Sequence, residues 1–290
     1  MKVSRLSVLS VLIILSLFFI GCSSSGSEEF HEIEPGSIYS GPIEIHEPVP
    51  SGTNEIEENG ILLDSSNAGQ GYIMIRTTEN KEARLKCRIS HDSGQYTYDL
   101  SGNTVYTVYP LQMGAGTYDV AVYENVEGTS YAQIFGTSFS VPESAQDTVF
   151  VYPHQLVWYT HEYPAVLLSF DICDGLTSDE DKVEAIYDYV TRYLSYDKEK
   201  AQNVQAGYIP DIEQILKDRK GICFDYSALM AAMLRAQNIP SQLVMGNLTS
   251  EGIYHAWNEV YINGEWRWYD ATYGPNNENE QSAYADDRRY

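Results

Sequence analysis

Cys223, His255 and Asp270 are the residues of this 290-residue chain whose types and order fit one reaction. A thiol at the first turn of a helix sees unpaired amide N–H groups and the positive end of the helix dipole, both of which favour thiolate. Gly221 breaks the chain before Cys223, and Tyr226, Met230, Met233 and Leu234 then recur at helical spacing, so Cys223 is expected to open a helix reaching about Gln237. Pro240 forbids its continuation. A thiolate nucleophile needs a base within hydrogen-bond reach, and that base needs a carboxylate or amide behind it to fix its tautomer. His255 opens a strand-like run after Gly252, and Asp270 closes the next one. Between the two runs lies Asn263-Gly264, a strong two-residue hairpin signal, so the histidine and aspartate fall near the open ends of one hairpin.

The elements that must position these residues divide by pattern. Thr177-Ser178-Asp179-Glu180-Asp181 carries a capping hydroxyl and first-turn acids, and Val183, Ile186, Tyr187, Val190 and Leu194 follow at helical spacing. A short helix is expected near Ile212 to Lys217, and strands over Gln242 to Met245, His255 to Ile262 and Trp266 to Asp270. Val149 to Leu168 reads as a connecting strand region in which His154 and His161 are too isolated to form a metal site. Between Ile61 and Val141 the pattern is alternation: Tyr72–Arg76, Ala83–Ile89, Tyr96–Leu100, Val105–Tyr109, Thr117–Tyr123 and Ala132–Val141. Six or seven such runs separated by Gly, Asn, Asp and Pro turns predict an antiparallel sandwich. Gly116-Thr117-Tyr118 resembles the G-x-Y start of a late strand in immunoglobulin-like folds, where the tyrosine hydroxyl ties a corner. This module shows no convergent chemistry; His91-Asp92 reads as a turn, and its tyrosines either stack on a glycan or peptide or act as strand formers.

Composition narrows the setting. The chain has 41 acidic and 18 basic side chains, a formal charge of −23, which excludes a nucleic-acid partner because phosphate binding needs clustered Lys and Arg. Lys2 and Arg5 precede an apolar run from Leu6 to Ile20, shorter than a bilayer-spanning helix needs, and small residues follow; this is an export signal. Phe19-Ile20-Gly21-Cys22 resembles the bacterial lipobox, whose cysteine is diacylated after cleavage, with Phe19 where leucine is usual. The alternatives are an ordinary signal peptide or an uncleaved anchor. The expected organisation is a signal peptide over 1–21, a lipidated acidic tether over 22–59 starting at Cys22, a β-sandwich module over 60–145 and a catalytic domain over 146–290. Cleavage removes two cations and no acid, leaving −25, so basic or amine-bearing substrates would be drawn to the particle. Cys87 and Cys173 either form a disulfide, which the exported compartment permits, or are buried thiols.

Four blocks in order carry a family resemblance: Gly221-Ile222-Cys223-Phe224-Asp225-Tyr226-Ser227-Ala228-Leu229-Met230, Leu234-Arg235-Ala236-Gln237-Asn238-Ile239-Pro240, His255-Ala256-Trp257-Asn258-Glu259-Val260 and Trp268-Tyr269-Asp270-Ala271-Thr272. They resemble the bacterial transglutaminase-like core over about 179–273. The resemblance implies an α+β, papain-like fold with the nucleophile on a helix against an antiparallel sheet, and Cys223, His255 and Asp270 on the catalytic positions. It implies acyl transfer on peptide or protein amides through a thioester, by hydrolysis or crosslinking, in the cell envelope. The backbone N–H of Cys223 would serve an oxyanion hole, with Tyr208 as a further donor or else a packing tyrosine; Trp257 either shields the site or is core. Ala271 stands where proline is common, and a later sheet-closing strand is expected to be short or absent. No cofactor, metal or nucleotide is called for, and calcium is not implied. The expected partners are a peptide or protein substrate at the cell surface and the membrane through the lipid, with a monomer as default. The alternative function is an inactive lipoprotein that binds or scaffolds through the β module.

Overall fold

The computed structural model describes residues 39, 41–143, 148–277 and 279–290. The expected signal peptide, Cys22 and the first part of the tether lie outside these residues, as does the 145/146 boundary. Contacts divide the chain into Met1–Glu32 and Ile33–Tyr290, and every described residue belongs to the second unit.

The first half of that unit is built from eight strands: β1 (Glu55–Glu58), β2 (Ile61–Asp64), β3 (Tyr72–Thr77), β4 (Leu85–His91), β5 (Gly94–Leu100), β6 (Thr107–Pro110), β7 (Gly116–Glu127) and β8 (Ser130–Val141). They form two antiparallel four-stranded sheets, ordered β1-β2-β3-β6 and β5-β4-β7-β8. Alternation decides which side chains face inward: Leu85, Cys87 and Ile89 from one sheet meet Ile61, Leu63, Ile73 and Ile75 from the other. Tyr118 ties a corner as its sequence context suggests. Its hydroxyl accepts from the Met113 N–H at 2.9 Å and faces the Leu111 and Gly114 carbonyls at the same distance.

The expected tether behaves differently from about residue 41 onward. Ile43 and Ile45 pack against the helical core, Asn67 donates to the Val49 carbonyl at 2.8 Å, and Glu55–Glu58 pairs with β2 as a strand.

The second half contains α1 (Pro164–Ile172), α2 (Asp179–Tyr193), β9 (Ser195–Tyr196), α3 (Lys198–Asn203), α4 (Ile212–Asp218), β10 (Lys220–Gly221), α5 (Cys223–Ala236), β11 (Ser241–Leu248), β12 (Ile253–Ile262), β13 (Glu265–Tyr269) and β14 (Tyr284–Arg289). Ser178 caps α2 by accepting from the Asp181 N–H at 3.1 Å. Helix α5 is buried on every side from Phe224 to Ala236, between α1, α2 and α4 and the sheet β13-β12-β11-β14. The fold is α+β, with sheets first and a helix-plus-sheet core after them. Inside it, Arg235 is fully buried and faces carbonyls: Ser241 at 2.8 Å, Tyr290 at 2.9 Å and Tyr152 at 3.0 Å. Burial lowers its pKa to about 10, which still leaves it charged at neutral pH.

Two further expectations change. The stretch read as connecting strand ends in helix α1, with Pro164 at its first turn, where a missing N–H costs nothing. The closing strand, expected to be short or absent, is present over the six residues of β14, which pairs with β11; Gly246 permits the approach, because a Cβ there would lie 2.1 Å from the Ala285 carbonyl oxygen. Arg289 anchors β14 through the Glu259 carboxylate on β12. Cys87 and Cys173 are both free, and they sit in different cores, Cys87 among the strands and Cys173 among the helices.

Candidate active site

Cys223 is the first residue of α5, with Ile222 extended ahead of it. Its amide therefore has no carbonyl one turn earlier to bond. Asp225, fully buried in the same turn, turns its Oδ2 back to the Ile222 N–H at 2.8 Å and fixes the entry to the helix. The carboxylate is held from the other side as well. Lys200 Nζ reaches Oδ2 at 2.6 Å, and the Tyr208 hydroxyl donates to Oδ1 at 2.6 Å. Gly221 makes room for this arrangement, since a Cβ there would fall 2.6 Å from the Asp225 Cβ.

His255 lies near the start of β12 and Asp270 directly after β13. Asn263 and Gly264 take φ values of 55° and 89°, the paired positive values of a type I′ turn, and set Ile262 opposite Glu265 and Asn258 opposite Tyr269. Past the last of these pairs the two side chains meet, His255 Nε2 and Asp270 Oδ2 lying 2.8 Å apart at 3% and 1% exposure. With Nε2 on Asp270, Nδ1 is the nitrogen left for the Cys223 sulfur. Burial pulls the His255 pKa down, but hydrogen bonds and electrostatic attraction to Asp270 and Cys223 outweigh it and hold the value at about 9. His255 is therefore an imidazolium at neutral pH.

Two further groups hold the aspartate. The Thr272 N–H donates to Oδ1 at 2.9 Å, and the Tyr284 hydroxyl donates at 2.6 Å to Oδ2, the oxygen His255 uses. Burial and Asp270 push the Tyr284 pKa up, so it keeps its proton. Sequence reasoning missed Tyr284 because it enters on β14. Trp257 is buried, with its ring stacked 6.5 Å from His255 and edge-on to Tyr284 at 5.0 Å.

Cys223 and His255 open on a cavity of about 480 Å³ whose walls include Ala201, Val204, Phe224 and Met245. Tyr208 lines it too, but not as an oxyanion donor. Its one proton is given to Asp225 and its oxygen accepts from Lys200 Nζ at 2.6 Å, so its hydroxyl steadies the start of α5 instead.

The model of the transglutaminase-like superfamily core matches residues 168–271, a span that starts inside α1 and includes Cys223, His255 and Asp270. A kyphoscoliosis peptidase of Mus musculus is 29% identical over 114 residues, and its Homo sapiens counterpart 27%; each match covers 36% of this chain and 17% of the relative's own length. Among solved structures, a candidate cysteine protease from Cytophaga hutchinsonii is 16% identical over 73% of both chains, with a TM-score of 0.42. The periplasmic domain of TgpA from Pseudomonas aeruginosa is 15% identical over 66% of this chain and 90% of its own, with a TM-score of 0.31. The stretch that matches the transglutaminase-like superfamily, residues 168–271, thus holds both α5, with Cys223 at its head, and the β12–β13 hairpin.

Proposed function

We propose that the chain is an extracytoplasmic cysteine acyl transferase or amidase acting on peptide or protein amides. The observation that supports this best is a buried imidazole shared between a carboxylate and a thiol at the mouth of an apolar cavity. Cys223 sulfur attacks the amide carbonyl, and the developing oxyanion is met by the Cys223 N–H at the head of α5. His255 gives its proton to the departing amine, so the C–N bond breaks as the thioester is left on sulfur. Water or a second amine then attacks the thioester, His255 takes the proton of that nucleophile, and the thiolate leaves. Asp270 keeps the imidazole in register throughout. The test is incubation of the full chain with a fluorescent primary amine and casein. Amine incorporation or peptide release is expected, and both are lost in Cys223→Ala; an identical product pattern from that variant refutes the mechanism.

The location rests on the first 22 residues, whose basic head, short apolar run and Gly21-Cys22 junction support export and diacylation of Cys22. Radioactive palmitate is expected to label the chain in bacterial cells and not Cys22→Ser; equal labelling of both removes the anchor from the proposal. No helix among the described residues is long and apolar enough to cross a membrane.

A further inference from the structure

Tyr208, Phe224, Met245 and Tyr254 line the cavity at Cys223, and the same four side chains line a second cavity of about 400 Å³. The far wall of the second is Gln95 and Thr97 of β5, and Asp287 and Arg288 of β14 also bound it. The two cavities therefore adjoin across these four side chains, one at Cys223 and the other at the β sandwich.

The strand at that end is open. β5 is an edge strand that, among the described residues, pairs with β4 alone. Asp99 faces away from β4: its N–H goes to Gln155 Oε1 at 3.3 Å, and its carbonyl accepts from Gln155 Nε2 at 3.0 Å. The Gln95 carbonyl is taken by Arg288 Nη1 at 2.5 Å. Backbone groups alternate sides along a strand, so the N–H and C=O of Thr97, midway between these two, point to the same open edge. Thr97 is solvent-exposed. An edge carrying a donor and an acceptor side by side is a template for an extended main chain.

We propose that the two cavities run together as one cleft that takes an extended polypeptide segment, with an apolar side chain beside the reacting carbonyl against Val204 and Met245 and the main chain further along paired with Thr97. The β module is then part of the substrate site. The inference rests on Cys223 being the acyl-transfer nucleophile and specifies its substrate as extended protein chain rather than a small amide. The lining fits this occupant, being apolar near the sulfur and polar at Gln95 and Thr97. Cavities of about 300–1,000 Å³ hold drug-sized molecules, so two such stretches in series hold several residues.

The test uses the full chain and measures alkylation of Cys223, in which the sulfur forms an S–C bond and a halide leaves. The probes are iodoacetamide, a dipeptide and a hexapeptide, the peptides made of alanine and threonine with leucine next to the electrophile. Each peptide is made with a chloromethyl ketone at its C-terminal end and, separately, an iodoacetyl group at its N-terminal end, so both chain directions are sampled. In one direction the hexapeptide is expected to react about tenfold faster than the dipeptide. Thr97→Pro, which removes the outward N–H but spares the β4 ladder, and Thr97→Trp, which fills the far cavity, are both expected to bring that ratio close to one. Iodoacetamide, too small to span the cleft, reports the chemistry of Cys223 in each variant. Absence of a length effect, a ratio kept by both variants, or variants that slow iodoacetamide and both peptide lengths alike overturns the inference. Failure of iodoacetamide itself to modify Cys223 in the unaltered chain overturns the nucleophile reading, and this inference with it.

Discussion

Exchange of His255 for glutamine is expected to slow amine incorporation and amide hydrolysis by about 10²–10⁴-fold, the range that a positioned acid–base group contributes. Glutamine keeps an N–H donor for the buried Asp270 carboxylate, so the site is not left with an unpaired charge and the chain stays folded. What is lost is the proton that His255 carries at neutral pH, with its pKa held at about 9. Without it the departing amine is not protonated, and the Cys223 sulfur loses the positive partner that favours thiolate. Two readouts separate these effects. The turnover rate reports both losses, and the iodoacetamide rate at Cys223 reports the second alone. Peptide mapping of the alkylated protein gives an internal control: Cys87 is fully buried with its thiol pushed up by burial, and burial raises Cys173 to about 12, so neither competes at neutral pH. Unchanged alkylation and turnover in His255→Gln, with the unaltered thermal midpoint, would remove His255 from the mechanism.

How much of this was legible in the sequence depended on whether the determining contacts are local. Cys223 after Gly221, the Ser178 cap of α2 and the Asn263-Gly264 turn are each decided within a few residues, and the structure has them where the pattern puts them. His255 and Asp270 are brought together by that same turn, so their pairing followed from hairpin register. Helix α1 did not, because Pro164-Ala165-Val166-Leu167-Leu168 is a continuous apolar run, and such a run reads equally as buried strand or buried helix. β1 and β14 were missed for a related reason. Glu55-Ile56-Glu57-Glu58 and Asp286-Asp287-Arg288-Arg289 are charged stretches that resemble solvated ends, and each is a strand only because a sheet edge elsewhere accepts it. Tyr284 enters with β14, which is why the hydroxyl on Asp270 left no local signal. Tyr208 was visible as a polar residue near the nucleophile, but the carboxylate that takes its proton lies 17 positions away, beyond the reach of local pattern.

Exchange of Asp270 for asparagine is expected to change the pH dependence in a direction the geometry fixes. The departing amine takes its proton from His255, so kcat/KM should fall on the alkaline side as His255 loses that proton, with a midpoint at about 9. Asp270 raises that midpoint through a hydrogen bond and through its charge; asparagine can still accept from Nε2 but carries no charge, so the alkaline limb moves down toward the free-imidazole value of 6.5. At pH 8 the variant then has a neutral His255 in most molecules, and its rate drops by about 10²–10⁴-fold once loss of imidazole orientation is included. Stability follows the same linkage. A histidine whose folded pKa lies above its unfolded one stabilises the fold fully below about 6.5 and stops doing so as pH rises through about 9, so the thermal midpoint of the unaltered chain should decline between pH 7 and 10, and less steeply in Asp270→Asn. Tyr284→Phe supplies the opposite sign. Its hydroxyl donates to the same Oδ2 that His255 uses, and removing that competitor leaves more of the carboxylate's charge for the imidazole, so the alkaline limb should move up while kcat changes little. An alkaline limb that stays at the same pH in both variants would mean that it belongs to a group other than the His255–Asp270 pair.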